Sequence, residues 1–134
     1  MKFFTRITTM LMVALFVVAC VKPIYNVHNH PISSEAQKNL SLDEIGNVIL
    51  KSALDRGWEV NRVSDNEITV RYARRDFVAS AKVNFSITDY SIQYDSSSNL
   101  NYKNGQIHRN YNNWIINLEN DIARNLDKLA YNLD

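Results

Sequence analysis

At 134 residues, 46% of them hydrophobic, the chain can bury one substantial core but not two. Its 15 Lys and Arg stand against 14 Asp and Glu, a formal charge of +1 with no block of like sign, which argues against a nucleic acid partner because phosphate binding needs clustered cations. The single cysteine excludes an intrachain disulfide, so packing alone must hold the fold.

The chain opens with Lys2 and Arg6, continues through a largely apolar run from Ile7 to Val18, and places the small residue Ala19 before Cys20. That is the order of a secretory signal, with an apolar stretch too short for a comfortable membrane span. Val17-Val18-Ala19-Cys20 resembles the lipobox of bacterial lipoproteins, in which the cysteine thiol takes a diacylglyceryl group, cleavage follows the small residue, and the new amino terminus is acylated. The resemblance implies that residues 1–19 are removed as a lipoprotein signal peptide and that Cys20 is the lipidation site, attached to the membrane through its acyl chains. In such lipoproteins an aspartate after the cysteine favours the inner membrane; Val21 in that position implies the outer membrane, with the domain facing the periplasm. Each buried methylene contributes about 0.8 kcal/mol, so two or more chains exceed the marginal hold of one. Met10 and Met12 fall within the signal and offer no copper site to the mature chain.

Residues 20–39 contain Pro23 and Pro31 with several asparagines and serines, and read as the lipidated cysteine followed by an extended tether spanning on the order of 25 Å. Pro23 to Val27 is apolar enough to dock on the domain. His28 and His30 are two imidazoles without a third or fourth ligand close in sequence, so no metal is assigned to them.

Residues 40–134 read as a single α+β domain. Ser41-Leu42-Asp43-Glu44 is a capping box, flanked by Leu40 and Ile45 at the spacing of a hydrophobic staple. Leu42, Ile45, Val48, Ile49 and Ala53 recur at helical spacing, and Gly57 supplies the left-handed residue that ends the helix before Trp58. From Trp58 the period becomes two, and turn signals at Asp65-Asn66, Arg75-Asp76 and Thr88-Asp89 divide four strands. Links this short join antiparallel neighbours, hence a meander. After a loop over 96–106, a final helix is expected from about Ile107 to Leu133, with Tyr111, Trp114, Ile115, Leu118, Ile122 and Leu126 on one stripe. The expected architecture is a two-layer sandwich of helix, four-stranded antiparallel meander and helix, with both helices on one face of the sheet.

Arg56-Gly57-Trp58, Tyr90-Ser91-Ile92 with Tyr94 and Ser96, Asn99-Leu100 with Tyr102, and Ile107-His108 followed by Tyr111-Asn112, Trp114-Ile115, Asn117 and Leu118 together resemble small proteobacterial lipoproteins of unassigned function. The resemblance covers most of the chain after the signal and implies the same helix, sheet, helix arrangement, but no reaction.

Catalysis finds little support in the residues themselves. Ser96, Ser97 and Ser98 with Asp95 and His108 could be assembled into a nucleophile, acid and base, yet they lack a strained elbow or a glycine-lined oxyanion loop. Asp95 with Asp89 or Glu119 as a glycosidase pair is weaker still. His108, close to a helix start, reads better as a neutral imidazole bonded to backbone groups. Asn99, Tyr102, His108, Tyr111, Asn112 and Trp114 are expected to form one cluster with Leu100, for binding or for structure. The resulting expectation is a non-catalytic binding or assembly module without cofactor, meeting an envelope protein or a cell-wall component. The alternative is a small periplasmic hydrolase or ligand carrier with its site near His108.

Overall fold

The computed structural model describes residues 20–133; the signal peptide expected over 1–19 lies outside them. The elements run β1 (Val21–Pro23), β2 (Val27–Pro31), α1 (Ser34–Asn39), α2 (Leu42–Asp55), β3 (Glu59–Ser64), β4 (Glu67–Arg74), β5 (Phe77–Phe85), β6 (Asp89–Ser98), β7 (Gln106–His108) and α3 (Arg109–Ala130).

Helix α2 begins and ends as its local chemistry dictates. Ser41 Oγ accepts from the Glu44 N–H at 3.1 Å while Glu44 Oε2 accepts from the Ser41 N–H at 2.7 Å, the reciprocal cap. At the other end Gly57 has φ +89°, which lets its N–H reach the Leu54 carbonyl and the Trp58 N–H reach the Ala53 carbonyl. Any residue with a Cβ would be strained there. Ile45, Ile49 and Ala53 form the fully buried stripe between these ends.

Strands β3 to β6 form the expected meander, and the alternation sends Ile68, Val70, Ala79, Ala81, Val83, Phe85, Tyr90 and Ile92 into the core. Both long helices cover that face. A Cβ added at Gly46 of α2 would come within 3.0 Å of the Phe85 ring, and the Tyr90 hydroxyl donates to the Glu119 carbonyl of α3 at 2.8 Å; Phe85 and Tyr90 stand directly opposite one another in the ladder. The other face presents Lys82 and Gln93 to solvent.

The sheet, however, has five strands rather than four, in the order β2-β6-β5-β4-β3, with a separate two-stranded sheet of β1 and β7. Residues 20–39 are therefore not an extended tether. β1 pairs with β7, β2 lies along β6, and α1 sits against α3, burying Val27, Ile32 and Ala36. The physical reason is the open edge of β6, whose backbone groups and flanking apolar surface a nearby segment can satisfy. α3 also starts two residues later than expected, because Ile107 is committed to β7 and His108 becomes the cap, and it ends at Ala130 rather than Leu133.

Candidate functional site

The end of the molecule where α3 begins gathers most of the residues singled out in the sequence. His108 Nδ1 accepts from the Asn110 N–H at 3.1 Å, the His108 backbone N–H donates to the Leu100 carbonyl at 2.8 Å, and the imidazole ring stacks on Phe77 with centroids 6.0 Å apart. The imidazole is thus an N-cap, a role that uses one ring nitrogen as acceptor. Leu100 is fully buried, and Asn99, in the left-handed region at φ +62°, donates from Nδ2 to the Asp76 carbonyl at 2.7 Å. Asn99 and His108 therefore brace the β4–β5 turn from two sides.

The remaining members of the expected cluster belong to three other groups. Tyr102 stacks on Tyr94 at 4.3 Å and Tyr94 meets the edge of Tyr111 at 5.5 Å, a row that runs from the exposed loop into the core. Trp114 packs its edge on Tyr72 at 4.9 Å, and Tyr72 on Trp58 at 5.2 Å. Tyr111 is buried with its hydroxyl unpaired among the described residues, and burial pushes that phenol above its ordinary range. Asn112 turns toward the N-terminal segment instead, accepting from the Tyr25 N–H and donating to the Pro23 carbonyl, both at 2.9 Å. The single cluster is thus replaced by four local ones, because neighbouring positions at the start of α3 point around the helix toward different surroundings.

Between Phe77 and Trp114 lies a cleft of about 260 Å³, lined also by Arg74, Arg75 and Asn110, and a shallower depression at Arg75, Asp76, Phe77 and Asn99 adjoins it. Arg74 and Arg75 are exposed and form no ion pair among the described residues. Such a recess suits a small anionic group. It does not assemble a serine hydrolase. Ser96 to Ser98 continue β6 beyond a bulge at Asp95, Ser97 Oγ lies 2.8 Å from the Tyr94 hydroxyl, and His108 has no serine oxygen among its hydrogen bonds.

A second constellation was missed in the sequence. Glu119, on α3, accepts from the Tyr25 hydroxyl at 2.6 Å through one carboxylate oxygen and meets His30 Nδ1 at 2.8 Å through the other. His30 stacks on Tyr90 at 4.8 Å. The Glu119 hydrogen bond raises the Tyr25 phenol above its ordinary value, with burial adding in the same direction. Tyr25 and Glu119 are separated by 94 positions, and nothing local in either segment announces the pairing. With both carboxylate oxygens engaged and no hydroxyl or thiol nucleophile bonded to His30, the group acts as a clasp for the N-terminal segment. His28 stays exposed while His30 turns inward, and among the described residues no three His, Cys, Asp or Glu side chains are grouped to hold a metal ion.

Compared with protein-family models, with curated proteins and with solved structures, the chain matches none.

Proposed function

We propose that this chain is a lipid-anchored envelope protein of the bacterial outer membrane, facing the periplasm, whose domain is a non-catalytic binding or assembly module. The observation that carries the reading is the ordered series of basic start, apolar run, Ala19 and Cys20. Supporting it, Cys20 stands at the start of the folded part, partly exposed. The partner class that fits best is an envelope protein or a cell-wall component, met by the polar sheet face around Lys82 and Gln93, which the helices leave uncovered. His108 supports a hydrolase less well, since its Nδ1 already caps α3.

The test has two arms. Cys20→Ala should abolish palmitate labelling and release the protein from the membrane fraction; normal labelling and retention would refute the anchor. Photocrosslinkers at Lys82 and Gln93 should capture one recurrent envelope component, whereas crosslinking to nothing from either position would refute the sheet face as the contact.

A further inference from the structure

We infer that the end of the domain from which Cys20 emerges is itself a membrane-contact surface, binding phospholipid head-group phosphates and holding the domain directly against the bilayer. This rests on the lipid anchor proposed above and goes beyond it, because an anchor alone leaves open how far away and in what orientation the domain stands.

No slack separates the acylated residue from the fold. The Cys20 carbonyl accepts from the Arg109 N–H at 3.0 Å, and Val21, Lys22 and Pro23 pair with His108, Ile107 and Gln106. The Ile24 N–H then donates to the Gly105 carbonyl, and Asn112 grips Pro23 and Tyr25. Lipid on the Cys20 sulfur is therefore one side chain's reach from the body of the domain. A tether on the order of 25 Å would have carried surface charges beyond the screening length of about 10 Å, but these contacts remove it.

The surface brought to the membrane in this way is cationic. Lys22 on β1, Arg74 and Arg75 at the β4–β5 turn, Lys103 in the loop before β7 and Arg109 at the start of α3 are all exposed, and none forms an ion pair among the described residues. The stack of His108 on Phe77 places the β4–β5 turn beside β7, and hence beside Cys20. Asp76 is the acid within that turn. By contrast Lys51, Arg56, Arg62, Arg71, Lys82 and Arg124, elsewhere on the domain, each lie against a carboxylate, and among the described residues only Lys38 and Lys128 are further cations without an ion pair. Three stretches distant in sequence, at 22, 74–75 and 103–109, thus contribute cations without ion pairs around one exit point, which is why the sequence, read linearly, shows no basic block. The recess among them, floored by Phe77 and Trp114 and flanked by Arg74 and Arg75, has the size and charge to take a head-group phosphate, with aromatic rings at the level where they favour the interface. Each such cation near an anionic surface strengthens attachment by about fivefold.

The orientation can be read with a cysteine introduced at either end of β4, since Cys20 is blocked by lipid. Asp76→Cys and Asp65→Cys lie beyond opposite ends of this eight-residue strand, roughly 25 Å apart, and both sites are exposed. The lipidated protein carrying a fluorophore at one or the other is reconstituted into vesicles of phosphatidylethanolamine and phosphatidylglycerol containing a head-group nitroxide lipid. The label at position 76 should be quenched strongly and the label at 65 weakly, and the Arg74→Gln, Arg75→Gln, Arg109→Gln triple variant should lose at least half of that difference while still floating with the vesicles. Equal quenching at the two positions in protein that floats would overturn the contact surface while leaving the anchor intact. Protein that does not float, with Cys20 free to alkylation, would overturn the anchor and this inference with it. A difference that survives in the triple variant and in high salt would show that geometry alone sets the orientation, and would overturn phosphate binding.

Discussion

Replacing Asn112 with alanine probes whether residues 20–39 belong to the fold. The side chain supplies an acceptor to the Tyr25 N–H and a donor to the Pro23 carbonyl, each at 2.9 Å. Pro23 is exposed and its carbonyl can turn to water, but the half-buried Tyr25 N–H loses its partner. One unsatisfied, half-buried donor together with one exchanged hydrogen bond amounts to about 1–2 kcal/mol. Because 1.4 kcal/mol is a factor of ten, the Tyr25 amide should exchange with solvent about tenfold faster in the variant, and proteolysis before Leu40 should accelerate with it. Amides of β4 and β5 that exchange through local openings, which leave the Asn112 contact intact, should keep their rates. Hydrogen exchange resolved by residue is the assay. Unaltered protection at Tyr25, or a Tyr25 amide that already exchanges freely in the unmodified protein, would refute the docking of this segment.

His108→Ala should cost about 1 kcal/mol by uncapping α3, and His108→Asp should recover most of it, read by chemical denaturation. Tyr111→Phe should leave stability unchanged or raise it by up to about 1 kcal/mol, because the buried hydroxyl has no partner to lose; a large loss of melting temperature would contradict that geometry. The Arg56 guanidinium, 2.5 Å from Asp121, holds that carboxylate below its ordinary 3.8, with Arg124 adding to the effect. A depressed folded value means that the pair stabilises above the unfolded value and that the contribution is lost as pH falls through the folded one. Asp121→Asn should therefore lose about 1–3 kcal/mol at neutral pH, with the gap to the unmodified protein closing in acid.

The parts of the fold legible in the sequence are those whose causes are local. The Ser41–Glu44 cap, the Gly57 stop and the two-residue period from Trp58 onward each act within a few positions, and the structure carries all three. Val27–Pro31 was illegible because its conformation is imposed from outside: VHNHP has no alternation, its register against β6 slips between Val27 and His30, and its hold comes from Tyr90, Ser91 and Glu119, far along the chain. The same distance hid the Tyr25–Glu119 clasp and the gathering of Lys22, Arg74, Arg75, Lys103 and Arg109 near Cys20. His108 was legible as a backbone partner because an imidazole at a helix start has that local use, whereas the single cluster expected around it failed once α3 turned Asn112 and Trp114 toward different neighbours.

The intact mass of the protein extracted from membranes addresses the lipid anchor on Cys20 most directly. The prediction is a mature chain that begins at Cys20 and carries a diacylglyceryl thioether with an acylated amino terminus. A chain that retains residues 1–19, or one cleaved there with an unmodified thiol, would contradict it.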